Sequence, residues 1–388
     1  MTRRTLATCC ATHTLHDGLS DVSYVLLPLL AQTFGLSLAQ VGLIRSAHRT
    51  AMAAFQIPAG LLAERFGERN LLALGTLAAG CAFVALGYVA GFWAILAVLF
   101  LAGAGSAVQH PLCSTIISRA FPAEGRRAAL GTYNFAGDVG KFAFGGAVSL
   151  LLVAGVSWQV PVVGFGVAAI LTAAAVLLLV VDARAHSVST TTSGGGWGIR
   201  DRRGFTALCL IEVLDSSTRT GFMTFIAFLL LAKGLPEHWA VLSVPLVLVG
   251  GMAGKLACGL LAERLGIARM IVLTEVATGG GILAVLALPG FGAFLLLPLL
   301  GVVLQGTSSV LYATIGEYVE PERLPRAFGF FYTIGSVCGI AAPLGYGLLG
   351  NRYGVEASIA VMGAAVLLTL PLALVLAKSG AQSKVPSY

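Results

Sequence analysis

Charge is scarce in this chain. Only 11% of its 388 residues are Asp, Glu, Lys or Arg, where a soluble globular protein carries about 25%. That shortage excludes a soluble enzyme with a water-facing surface. The charges that exist are dispersed between apolar runs rather than gathered in one basic face, so the net charge of +7 is no sign of nucleic-acid binding. No G-x-x-x-x-G-K-[ST] loop occurs, which removes ATP as an energy source, and no cofactor is expected. The seven cysteines (Cys9, Cys10, Cys81, Cys113, Cys209, Cys258, Cys338) lie within apolar runs and lack secreted-domain spacing. A disulfide framework is therefore not expected.

What is abundant is apolar: 57% of residues are hydrophobic, 49 are glycine, and the mean hydropathy is +0.91. A helix spanning a bilayer needs about 20 such residues. The apolar runs predict twelve spans, at 7–33, 38–59, 70–90, 93–118, 128–151, 156–181, 205–232, 238–260, 268–289, 292–318, 327–350 and 355–377. This is an all-α multi-pass membrane protein. Seventeen of the 24 Lys and Arg fall on one side of that map, and only Lys233 and Arg352 on the other. The positive-inside bias places both termini in the cytoplasm. His13, His16 and Asp17 interrupt the first apolar run, so no cleaved signal peptide is expected.

One long polar segment, 182–203, is rich in Ser, Thr, Gly and Arg and reads as a cytoplasmic linker between units 1–181 and 204–388. The two units repeat one another. GLLAERFGERN begins at Gly60 and GLLAERLGIAR at Gly259, an offset of 199, while Asp17 and Asp21 align with Asp215 and Arg219 at an offset of 198. A duplicated six-helix unit suits a machine that rocks two bundles around a central cavity. Gly60 and Gly259 are expected to admit a close helix neighbour. Glu64, Arg65, Arg69, Glu263 and Arg264 follow helix ends where they can act as a gate, and Gly67 and Gly266 supply the turns.

The twice-occurring G-x-LAER-x-G loop resembles the signature of the major facilitator superfamily. GLSLAQVGLI (Gly35 to Ile44), GAGSAVQHP (Gly103 to Pro111) and the glycine-spaced span five are most similar to its fosmidomycin-resistance group of bacterial efflux proteins. The chain departs from the family in having Glu64 and Glu263 where Asp is usual. It also carries Gly140-Lys141, with Gly145-Gly146 further on, in place of the Gly-Pro pair of efflux members. The resemblance implies a monomeric, proton-coupled secondary transporter of the bacterial cytoplasmic membrane, with span-one acids carrying the proton.

Ionisable residues at membrane depth are costly unless they face a cavity or a partner. Arg45, His48 and Arg49 share one face of span two, and Glu212, Asp215 and Arg219 one face of span seven; Asp138 and Lys141 lie in span five. Guanidinium groups bind carboxylate or phosphate through paired hydrogen bonds. Arg45, His48, Arg49, Lys141 and Arg219 are therefore the candidate solute ligands, for a small organic anion. Asp17, Asp21, Asp138, Glu212 and Asp215 are the candidate proton carriers. Asp21 and Arg49 are expected to pair at matching depth, while Lys255 and Glu275 are set aside as snorkelling near an edge. An ion-pair lattice with a purely structural role is the plain alternative. Two others are an organic-anion importer and a metal transporter using Cys9, Cys10, His13 and His16.

Overall fold

A computed structural model describes residues 2–180, 197–320 and 324–382, and leaves some side chains within the helices undescribed. Most of the expected linker, 182–203, lies outside the described residues. Among them the chain forms fourteen helices and one isolated antiparallel bridge between Ile199 and Val319. The first seven are α1 (Thr2–Phe34), α2 (Leu38–Phe66), α3 (Glu68–Leu86), α4 (Phe92–Ser106), α5 (Gln109–Ala120), α6 (Ala123–Val153) and α7 (Gln159–Leu179). The second seven are α8 (Arg202–Ala232), α9 (Glu237–Leu265), α10 (Ile267–Ala287), α11 (Gly290–Tyr318), α12 (Leu324–Tyr353), α13 (Val355–Val366) and α14 (Thr369–Gln382).

Two breaks reduce fourteen helices to twelve rods. The chain turns at 107–108 between α4 and α5, and at 367–368 between α13 and α14. Both are proline effects: Pro111 has no N–H for the carbonyl of Ala107, and Pro371 has none for that of Leu367. The first break thus opens four residues ahead of Pro111. Among the described residues, nine of the rods are long and apolar enough to cross a membrane. The three that fall short, α1, α2 and α8, are those that carry Asp17 and Asp21, Arg45 and Arg49, and Glu212, Asp215 and Arg219. Large apolar side chains such as Leu61, Leu74, Phe100 and Leu171, and Leu273, Leu295, Leu299 and Leu374, stand exposed on the rods. In a bilayer these are in their proper solvent.

The chain divides into two compact units, Met1–Thr190 and Thr191–Tyr388. In the first, α1 packs on α6, α2 on α4 and α3 on α7; in the second, α8 packs on α12, α9 on α11 and α10 on α13. These are matching pairings of the first with the fifth, second with fourth and third with sixth rod. The turns agree as well. Gly67 (φ +83°) and Gly266 (φ +84°) adopt one conformation, each N–H donating to the carbonyl four residues back, Ala63 at 2.9 Å and Ala262 at 3.0 Å. A side chain is strained there, so glycine follows from the geometry.

Candidate functional site

In the first unit the site begins with glycine. A Cβ on Gly140 would run into the backbone of Thr14, and one on Gly137 would run into the His13 ring and lie 2.8 Å from Asp17 Oδ2. Without those side chains α6 closes on α1 and delivers Lys141 to Asp17. Lys141 Nζ stands 3.1 Å from Asp17 Oδ2 and 3.1 Å from Asp138 Oδ1, binding both carboxylates at once. His13 Nε2 is 3.1 Å from Asp17 Oδ2, and His110 Nε2 is 3.4 Å from Oδ1.

The surroundings of His13 set its tautomer. Its Nδ1 lies 2.7 Å from the carbonyl oxygen of Tyr133, which can only accept, so Nδ1 carries a hydrogen. Nε2 then lies 3.1 Å from Asp17 Oδ2 without the alignment of a hydrogen bond. The ring is held in place, stacked on Tyr133 with centroids 4.0 Å apart, while Gln109 Nε2 donates to the Tyr133 hydroxyl. His16 is different. Thr76 donates its hydroxyl to Leu72 and accepts from His16 Nε2 at 2.9 Å, and Ser106 lies 3.1 Å from Nδ1. Both ring nitrogens are satisfied by a neutral imidazole, which ties α1 to α3 and α4.

The cationic side of the unit lies on α2, and it corrects one expected pairing. Asp21 meets Arg45, not Arg49, at 3.7 Å. Arg45 is 1% exposed and reaches across to α1: Nη1 donates to the Ser20 carbonyl at 3.0 Å and to Ser23 Oγ at 2.6 Å, and the guanidinium stacks 3.7 Å above the Tyr24 ring. It is an anchor with Nε and Nη2 left over. One turn on, Arg49 is half-buried, with Nε lacking a hydrogen-bond partner and no ion pair among the described residues. Between them His48 is buried with both ring nitrogens unpartnered.

The second unit gathers acids. Arg219 Nη2 lies 3.6 Å from Asp215 Oδ2, an ion pair too long for a hydrogen bond. Glu212 is fully buried, and neither of its oxygens finds a hydrogen-bond partner among the described residues. Glu275 does not snorkel as expected. It too is fully buried and unpartnered, nine residues into the rod that starts after Gly266, within electrostatic reach of Asp215, Arg219 and Glu212. A solute or proton role for this unit's acids must include it.

The signature loops are less fully described. The side chains of Glu64 and Glu263, and the surroundings of Gly259, lie outside the described residues. A Cβ on Gly60 would meet nothing within 4 Å among the described residues, so they make no close approach of the kind expected there. Arg65 and Arg264 are exposed, Arg65 lying over the Phe66 ring at 5.6 Å, and Arg69 Nε donates to Asn70 Oδ1 at 3.4 Å. Among the described residues at this turn, Glu68 makes an ion pair, with Arg119. The Cys/His run of span one is not assembled for a metal: Cys9 packs among Ala59, Leu72 and Cys113, and both His16 nitrogens are spent. His13, Asp17 and His110 do converge, with ligand atoms within 4.8 Å of one another, but the Lys141 ammonium already lies on Asp17.

Rods with apolar flanks and charged residues held inside each unit define a multi-pass membrane transporter rather than an enzyme. The family model of the Major Facilitator Superfamily matches residues 10–314, and the chain belongs to that family. It is 25% identical to the probable sulfoacetate transporter of Cupriavidus necator over 84% of this chain and 82% of that one. It is 24% identical to the 4-hydroxybenzoate transporter of Pseudomonas putida over 89% and 83%. Its fold matches that of a bacterial homologue of the human lysosomal transporter Spinster, with a TM-score of 0.84 at 17% identity over 99% of this chain and 98% of that one. These relatives do not show the fosmidomycin-resistance group named by the finer resemblance.

Proposed function

We propose that this chain moves a small organic anion together with protons across the bacterial cytoplasmic membrane. The observation that carries the reading is Arg49: a half-buried guanidinium with no ion pair among the described residues, one turn from Arg45. An uncompensated cation at membrane depth is costly until an anion arrives. Both relatives named above are transporters of carboxylate-bearing anions by their names. In this reading Arg49 and His48 meet the solute, Arg45 holds the face they stand on, and the His13–Asp17 pair with Lys141 and Asp138 holds the proton.

The sense of coupling follows from charge. The proton adds positive charge at Asp17, in the same unit as the cationic face, so proton and anion favour each other's binding. Two ligands that bind together travel together, which supports symport and, on an inward proton gradient, uptake. The efflux implied by the fosmidomycin resemblance would instead need proton and solute to compete for one group. Both termini are cytoplasmic in this proposal, the segment 182–203 links the bundles, and Glu64, Arg65, Arg69, Glu263 and Arg264 act in the gate.

The test is uptake into proteoliposomes. Labelled sulfoacetate and 4-hydroxybenzoate are offered with an acid exterior, with and without a protonophore. Accumulation that collapses with the gradient is expected, and Arg49→Ala should abolish solute binding in a folded protein while Arg49→Lys restores part of it. The proposal fails if organic cations or uncharged drugs raise the thermal midpoint and no anion does.

A further inference from the structure

The second unit carries the duplicated acid without the duplicated cation. An offset of 198 residues relates Asp17 to Asp215 and also Gly137 to Gly335, and it relates Lys141 to Gly339. As Gly137 makes room at Asp17, so Gly335 makes room at Glu212: a Cβ there would lie 3.0 Å from Glu212 Oε1, 3.7 Å from Ser216 Oγ and 4.0 Å from the Tyr312 hydroxyl. No lysine enters that space. Glu212, Asp215 and Glu275 are 0%, 1% and 0% exposed, and none of their six carboxyl oxygens has a hydrogen-bond partner among the described residues. The Thr278 hydroxyl, one turn beyond Glu275, is likewise buried and unpartnered.

The other titratable groups set against these acids are Arg219, the thiols of Cys209 and Cys338, and the phenols of Tyr312 and Tyr332. Among the described groups set against them, only Arg219 is cationic. Three ionised carboxyls against one guanidinium would leave two negative charges in a dry interior, with no hydrogen bond among the described residues to offset them. Two more positive charges are needed there. A single metal ion would require the acid oxygens to converge. Only His13, Asp17 and His110 do so among the described residues, and the three acids, all described, do not. Separate carboxyls are neutralised one at a time, and the ligand that does this is the proton.

We propose that Glu212, Asp215 and Glu275 form a second proton-binding centre within the C-terminal bundle, which holds two protons at neutral pH. The inference concerns proton binding alone and does not require that the His13–Asp17 pair couple transport.

The full chain in lipid nanodiscs tests it. At neutral pH the infrared spectrum of the wild type should contain carbonyl stretches of protonated carboxylic acid. Glu212→Gln and Glu275→Gln should each reduce that band. Because glutamine imitates the protonated acid, both variants should remain folded. A second reading uses the wild type itself: protons held only by the folded state make its unfolding constant rise about tenfold per pH unit for each proton. Each glutamine variant should remove one such decade. A wild type with no protonated carboxyl band overturns the proposal. So does a thermal midpoint that rises when sodium replaces a bulky organic cation and stops doing so in the glutamine variants, since the ligand is then a metal ion.

Discussion

Replacing Lys141 with Met tests whether the span-five lysine is what lets two acids stay buried. The ammonium stands 3.1 Å from Asp17 and 3.1 Å from Asp138, with side-chain exposures of 27% for Lys141 and 9% for Asp17. At an effective dielectric of about 20, one contact of that length is worth about 5 kcal/mol before desolvation is counted. Breaking a buried pair by removing one partner costs about 3–5 kcal/mol net. Partial exposure of the lysine argues for the lower end, near 3 kcal/mol, or about two decades in the unfolding constant. The assay is equilibrium unfolding of the full chain in mixed micelles. Lys141→Met combined with Asp17→Asn should recover about 2 kcal/mol of the loss, because neither charge is left alone. If the two single effects instead add to within about 0.5 kcal/mol, Lys141 and Asp17 do not form the pair described.

Three further outcomes follow from the geometry. Gly137→Ala drives a methyl into the His13 ring and should cost about 1–3 kcal/mol by overpacking. Gly131→Ala on the same helix, where a Cβ meets nothing within 4 Å, should gain about 0.5–1 kcal/mol in the same unfolding assay. Gly67→Ala and Gly266→Ala should each cost about 1–2 kcal/mol, and by similar amounts, since their φ angles are +83° and +84°; a cost at one site alone would break the equivalence of the loops. His16→Leu leaves Ser106 without its partner and should lower stability by about 1–3 kcal/mol, with no change in the pH profile of transport measured in proteoliposomes.

Much of the architecture is legible in the residues alone: the rods from apolar runs, the duplication from GLLAER, and both turns from the glycines that follow it. What is not legible is register across helices. Asp21 pairs with Arg45 rather than Arg49, a slip of one turn, about 5.4 Å, which is finer than depth counted from span ends can resolve. Nor could any pattern announce that the Tyr133 carbonyl takes the Nδ1 hydrogen of His13, because a backbone acceptor has no sequence signature. Two features did leave a signal. Gly137 and Gly140 flank Asp138 and precede Lys141 in one short stretch, marking where α6 must close on another helix. Glu275 lies nine residues beyond Gly266, about 13 Å along the rod at 1.5 Å per residue, too deep for a glutamate to reach an edge.

The duplication separates what makes the fold from what makes the chemistry. The positions the halves share include backbone devices, Gly67 with Gly266 and Gly137 with Gly335, and the acids Asp17 and Asp215. The partners of those acids are not shared. At the 198-residue offset His13 faces Ile211, His16 faces Leu214 and Lys141 faces Gly339; at the 199-residue offset Thr76 faces Glu275. In the first unit these residues close a circuit: Thr76 satisfies His16, and Lys141 with His13 satisfies Asp17. In the second unit each substitution removes a donor or adds an acid, and Glu212, Asp215 and Glu275 have Arg219 as the one cation in reach among the described residues. Apolar substitutions at these positions would have been the less costly drift, since a buried ion pair replaced as a whole is often neutral for stability. A fold that keeps its glycines and turns while building a charge deficit into one half has put that deficit to use.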